Sequence, residues 1–171
     1  LSAHTTPRLG GPADVWLPVT SLPELVMVVQ LARQHHVPLF MLGGGANLLI
    51  SDRGIRGLVI ENRANGVQFP PAEAGPLLMA ESGAAMPSLA RRCARHGLSG
   101  LEWAVGVPGT VGGAVVNNAG AYGSNMAATL HRAELLSPEG KRRWQPASWF
   151  EYSYSDSRLK QGGRPAEWVV L

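Results

Sequence analysis

The chain has 171 residues, of which 45% are hydrophobic and 16% charged, and its formal net charge is +3. That composition excludes a disordered chain and falls short of a basic nucleic-acid stripe, while a mild cationic surplus suits an anionic small molecule. Cys93 is the single cysteine, so an intramolecular disulfide or a cysteine metal cluster is excluded and a reducing compartment is the default.

Residues 13–18 alternate enough for a short strand that Pro18 closes. Ser21 reads as an N-cap, with Pro23 in the first turn and Glu24 completing a capping box. Leu25, Val28, Val29 and Ala32 then form one apolar helical face that ends near His35. Residues 37–42 predict a strand that feeds a glycine-rich loop at 43–47, and Leu-Leu-Ile at 48–50 reads as strand rather than helix. Residues 57–62 predict another strand. Strand, helix, strand, loop, strand is the order of an α/β unit.

Between about 65 and 76 the composition turns to Pro, Ala and Gly, which marks a lobe boundary. A second unit opens with a strand at 77–81. A helix follows from about Pro87, with Leu89, Ala90, Cys93 and Ala94 inward and Gly97 as its cap. Residues 133–136 and 141–144 flank Ser-Pro-Glu-Gly and predict a hairpin. Residues 167–171 read as a strand in progress and residue 1 is not methionine, so both ends look cut. No apolar run approaches the roughly 20 residues of a membrane helix.

The most informative stretch is 100–123, dense in glycine and alanine, with Asn117 and Asn118 side by side and Glu102 as its one charge. Glycine weakens helices and strands alike, so the segment predicts neither; it suits backbone pressed against a flat or anionic ligand. The loop at 43–47 has the same character. Alone it would be an ordinary tight turn; paired with 100–123 it suggests a phosphate-bearing ligand between two loops. Neither the Walker nor the Rossmann glycine pattern occurs, which argues against a P-loop kinase or a Rossmann dehydrogenase.

Other candidates reduce to structure. The five histidines show no metal spacing, and His35, His36 and His96 sit at helix ends where a cation favours the dipole. Cys93 reads as a small core residue. The Arg91, Arg92, Arg95 and Lys141, Arg142, Arg143 clusters read as solvated surface, and so does the group of Tyr152, Tyr154, Asp156 and Ser157.

Residues 4–13, 42–49 and above all 100–123 resemble the UDP-N-acetylenolpyruvoylglucosamine reductases (UDP-N-acetylmuramate dehydrogenases), in the family's order and over essentially the whole chain. The resemblance implies an α+β FAD-binding fold of the p-cresol methylhydroxylase and vanillyl-alcohol oxidase type. Its two subdomains would span 1–66 and 67–171 and hold FAD between them. Leu42, Gly43, Gly44, Gly45, Ala46, Asn47 and Leu48 would wrap the pyrophosphate. Val107, Pro108, Gly109, Thr110, Gly112, Gly113 and Ala114 would line the flavin and pyrophosphate, and Asn118, Ala119, Gly120, Ala121 and Tyr122 would continue that wall. It further implies hydride transfer from NADPH through the flavin to the enolpyruvyl group of a UDP-sugar, giving UDP-N-acetylmuramate for peptidoglycan. The expected setting is a cytoplasmic monomer without metal, nucleic-acid or membrane partners.

Two departures accompany the resemblance. The family's Tyr-Arg-x-Ser pattern aligns with residues 154–157, so Ser155 stands where the active-site arginine would be and Tyr154 is the substrate-binding candidate. A hydroxyl lacks the charged, bidentate fork of arginine. The family's proton-donor serine motif and its glutamate do not occur, as expected if the chain ends before a third, substrate-binding domain and turns over little substrate by itself. A sugar or lactone oxidase of the same superfamily and a non-catalytic flavin-binding domain are the alternatives.

Overall fold

The computed structural model describes residues 1–71, 73, 75–161 and 167–171. Two small sheets carry the fold. Strand β1 (Ala13–Val19) leads through helix α1 (Leu22–Gln34) to β2 (Leu39–Leu42), and β3 (Ile55–Asn62) inserts between the strands in the order β1-β3-β2, all parallel. A short β4 (Val67–Gln68) pairs antiparallel with β5 (Met79–Ala80). Helices α2 (Met86–Arg95) and α3 (Val111–Asn117) follow, then the small hairpin of β6 (Gly120–Ala121) and β7 (Ser124–Asn125) and the turn-length α4 (Met126–Thr129). The second sheet holds β8 (Arg132–Leu136), β9 (Arg142–Pro146) and β10 (Val169–Val170), antiparallel in the order β10-β8-β9, and the single turn α5 (Arg158–Gln161) precedes β10.

The capping signal at Ser21 is realised. Its hydroxyl accepts from the Glu24 N–H at 3.4 Å, while the Glu24 carboxylate reaches one residue further back than a standard box and accepts from the Thr20 N–H at 2.8 Å. Leu25, Val29 and Ala32 are buried on the predicted face, with Val28 at its margin. Ser21→Ala removes the hydroxyl but leaves Glu24 in place, so we expect a loss of about 1 kcal/mol, read from urea unfolding.

Helix α2 buries Leu89, Ala90 and Cys93 as predicted, but Ala94 faces solvent: the buried stripe runs through Met86 instead, and Ala94 lies off it. His96 takes the C-cap place and stacks on Phe69 at 3.8 Å, while Gly97 follows at φ +69°. Burial raises the pKa of the Cys93 thiol, which keeps it protonated and inert.

The second sheet explains two apolar pairs that have no alternation. Leu135 and Val170 enter a core with Phe150, Trp103, Met86, Ala114 and Val115. Their neighbours Leu136 and Val169 enter another with Val19, Leu25, Val29 and Ile60. Adjacent strand residues point to opposite faces, so consecutive apolar residues are what a sheet covered on both sides requires.

Candidate functional site

All three strands of the parallel sheet end at the same edge, and the first glycine loop leaves β2 there, beside Glu61 and Asn62 of β3. The residues at 48–50 are not a strand: past the loop they have no partner strand to extend. Three contacts fix the loop. A Cβ on Gly43 would lie 2.5 Å from Thr110 Oγ1, and one on Gly44 would lie 3.1 Å from Gly109 Cα. Gly45 is buried at φ +64°, where a Cβ would stand 2.0 Å from the His4 carbonyl oxygen, and its own carbonyl accepts from the Thr6 N–H at 3.0 Å. The two glycine-rich segments therefore meet directly, and the amino-terminal arm crosses the first. His4 Nδ1 lies 3.1 Å from Glu61 Oε2 and its ring lies 4.7 Å from Trp16, which ties that arm to the sheet.

Among the described residues, no backbone N–H from 43 to 49 donates a hydrogen bond within the chain. Ala46, Asn47, Leu48 and Leu49 of that run line a groove together with Thr6 and Pro7. Successive N–H groups of this kind, without bulky side chains, suit an anion.

The second segment differs from expectation. Residues 111–117 form a regular helix, α3, despite Gly112 and Gly113. Thr110 caps it, accepting from the Gly113 N–H at 3.5 Å, and Ala114 and Val115 pack into the core beneath. Tertiary packing overrides the weak propensity. The Val111 and Gly112 N–H groups donate to the carbonyls of Ala84 and Ser82 at 2.9 and 2.8 Å. A Cβ on Gly112 would lie 3.0 Å from that of Ser82, so Gly112 is the residue that lets helix and loop approach. Val107, Pro108 and Gly109 (φ +113°) lead into this helix, and the Gly109 carbonyl accepts from the Met86 N–H at 3.0 Å.

Asn118, at φ 46°, ends α3; its amide donates to the Ser153 carbonyl and accepts from the Ala127 N–H, both at 2.9 Å. Its buried amide thus has partners on both sides. Ala119 lies against the core, and Gly120 and Ala121 form β6, with no room for a Cβ on Gly120 beside Asn125. Tyr122 is 88% exposed.

Two residues that sequence reasoning missed tie these parts together. Buried Asn62 donates to the Ser82 hydroxyl at 2.7 Å and accepts from the Ala64 N–H at 3.0 Å. Ser82 in turn holds the start of α3, so β3 is linked to α3 through one polar pair. A lone asparagine closing the apolar strand 57–62 was the available signal.

The chain's FAD binding domain match covers residues 13–144. The chain belongs to the FAD binding domain family. The chain is similar to the UDP-N-acetylenolpyruvoylglucosamine reductase of Rubrobacter xylanophilus, at 49% identity over the whole chain and 56% of that protein. It is 44% identical to the Synechococcus enzyme of the same name over 94% of this chain and 52% of the other. Among solved structures, the UDP-N-acetylenolpyruvylglucosamine reductase of Thermus caldophilus superposes with a TM-score of 0.75 at 31% identity, across 99% of this chain and 57% of that one. An alkyldihydroxyacetonephosphate synthase shares the fold alone, with a TM-score of 0.66 at 16% identity. The FAD-binding fold of the p-cresol methylhydroxylase and vanillyl-alcohol oxidase type is thus the fold of this chain. The chain spans about half the length of the curated relatives it matches.

The region around Tyr154 corrects the expectation of a wholly exposed cluster. Tyr154 is 96% exposed and Ser155 is exposed at φ 52°, with its carbonyl accepting from Lys160 Nζ at 2.6 Å. Ser157, however, is fully buried and donates to the Val116 carbonyl at 2.6 Å. Tyr152 stacks on Phe150 at 5.3 Å, and burial raises the pKa of its phenol. The core claims Ser157 because this stretch passes over α3, where its hydroxyl meets the Val116 carbonyl. Ser155 itself presents no charge. Arg158, next along, pairs with Glu151 and lies 4.9 Å from the Trp149 ring.

Proposed function

We propose that this chain is the flavin-holding part of a UDP-N-acetylenolpyruvoylglucosamine reductase. The observation that carries the reading is the direct apposition of the two glycine segments, with the amides of 43–49 left without partners on one side of it. Those residues fit an FAD pyrophosphate: small side chains, donors in series and no carboxylate among them. Leu42 to Leu48 would hold the diphosphate. Val107 to Ala114 and Asn118 to Tyr122 would form the opposite wall, between units spanning 1–66 and 67–171.

Bound FAD supplies two-electron hydride transfer, taken here to run from NADPH to the enolpyruvyl group of the UDP-sugar during peptidoglycan precursor synthesis in the cytoplasm, with the protein acting as a monomer. The chain's own contribution is binding and orientation. Thr110 holds the start of α3 in place, and Asn118 anchors its end to the loop that carries Tyr154. Tyr154 would contact the sugar substrate. Ser155 itself would offer the substrate's negative charge no guanidinium, which is the specific support for the second reading, a flavin-binding domain without turnover.

Titrating the purified chain with FAD and following the visible flavin spectrum tests the binding claim. Saturable uptake near one equivalent is expected; folded protein that takes up no flavin overturns it. For the reaction, the measurement is NADPH consumption that depends on the enolpyruvyl UDP-sugar, made on the whole encoded protein. Rapid oxygen consumption without NADPH would instead identify an oxidase.

A further inference from the structure

Asn117 lies at the end of α3, beside Asn118, and its amide has two defined neighbours. One amide atom is 2.8 Å from the Gly113 carbonyl oxygen and the other is 3.3 Å from the Asn47 amide. A carbonyl oxygen only accepts, so the atom facing Gly113 is Nδ2 and the atom facing Asn47 is Oδ1. The atom that Asn47 turns towards Asn117 must then be its donor, Nδ2. The orientation of the Asn47 amide is thereby dictated, through one intermediary, by a backbone carbonyl of a helix. Asn47 Oδ1 is left over, with no partner among the described residues.

We infer that Asn117 is a positioning residue for FAD: it turns Asn47 so that an acceptor, and not a donor, is offered to the nucleotide. The inference rests on the proposed FAD site. Phosphate oxygens are acceptors and are met by donors, which the loop backbone provides as N–H groups at 43–46. An amide oxygen at 47 meets the opposite kind of group, a hydroxyl or a ring N–H of the nucleotide. The loop thus divides its labour, backbone donors for the diphosphate and one side-chain acceptor for the hydroxyl-bearing part. The contact also spans 70 residues of sequence, joining the first glycine loop to α3 where the two segments meet.

A double-mutant cycle tests the assignment, read as the dissociation constant for FAD. Wild-type binding first establishes the site itself; if the wild-type chain takes up no FAD, the functional reading fails and not this one. With binding established, Asn117→Ala is expected to weaken FAD about 3- to 10-fold, the size of one lost, partly exposed hydrogen bond. Asn47→Ala is expected to weaken it by at least as much, and the double variant no further than Asn47→Ala. Asn117→Leu serves as a second variant; alanine and leucine both favour helix over asparagine, so α3 is retained. Inorganic pyrophosphate, competing against FAD, should keep its inhibition constant in every variant. Multiplicative effects in the double variant, an unchanged constant in Asn117→Ala and Asn117→Leu, or loss of pyrophosphate affinity with Asn47→Ala would each overturn the assignment.

Discussion

Replacing Gly45 by alanine is expected to cost about 2–5 kcal/mol of folding stability and to abolish FAD uptake. Two effects combine. A non-glycine residue in the left-handed region costs roughly 1–2 kcal/mol, and crowding a packed site costs about 1–3 kcal/mol more. The crowding here is severe, because the new Cβ would stand 2.0 Å from the His4 carbonyl and 2.9 Å from Thr5 Cα, both backbone atoms with nowhere to rotate. Relief requires the amino-terminal arm to lift, which breaks the Thr6 to Gly45 hydrogen bond and moves the loop amides. Gly97→Ala is the control. Gly97 has nearly the same φ, +69°, but a Cβ there meets nothing within 4 Å. It should lose only the roughly 1–2 kcal/mol of backbone strain and bind FAD as before. Urea unfolding and flavin titration of the two variants side by side decide the matter. Equal stability losses would show that the arm does not constrain the loop.

Phe150→Ala is expected to cost about 3–5 kcal/mol, and at roughly 2–4 °C per kcal/mol to lower Tm by about 6–20 °C. Phe150 is completely buried and is the largest of the fully buried side chains. It lies edge-on to Trp149 at 5.2 Å and parallel to Tyr152 at 5.3 Å, in the core that supports Ala114 and Val115 of α3. Truncation leaves a cavity between the second sheet and the helix that frames the glycine segment. The polar fastening of α3 to Ser82 is on its other end, so FAD affinity should fall less than stability does. Calorimetry and flavin titration separate the two, and a variant that melts within 3 °C of the wild type would show that this core relaxes around the loss.

Much of the first unit was legible because its signals are local. Ser21, Pro23 and Glu24 mark a helix start through contacts within one turn, and the apolar spacing after them fixes the buried face. The hairpin around 137–140 was legible for the same reason. The second unit was harder. Residues 111–117 read as loop because Gly112 and Gly113 lower helix propensity, yet Ser82 needs that missing Cβ and Ala114 and Val115 repay the helix with burial. Ser157 read as surface because a serine beside an aspartate and an arginine carries no periodic signal, and its partner, the Val116 carbonyl, is 41 residues away.

The sequence by itself determined that two glycine-rich segments exist, which family they resemble and therefore which cofactor they suit. Composition and motif order travel with the chain and need no third dimension. Only the tertiary structure decided how the glycines divide their work. Gly43, Gly44 and Gly45 let the arm, the first loop and the second segment touch, Gly112 lets α3 meet Ser82, and the loop amides from 43 to 49 are left without a partner among the described residues. A glycine looks the same in a sequence whether it makes room for a neighbour or for a cofactor. The difference lies in what stands within 4 Å of its missing Cβ, and that is set by contacts among residues tens of positions apart.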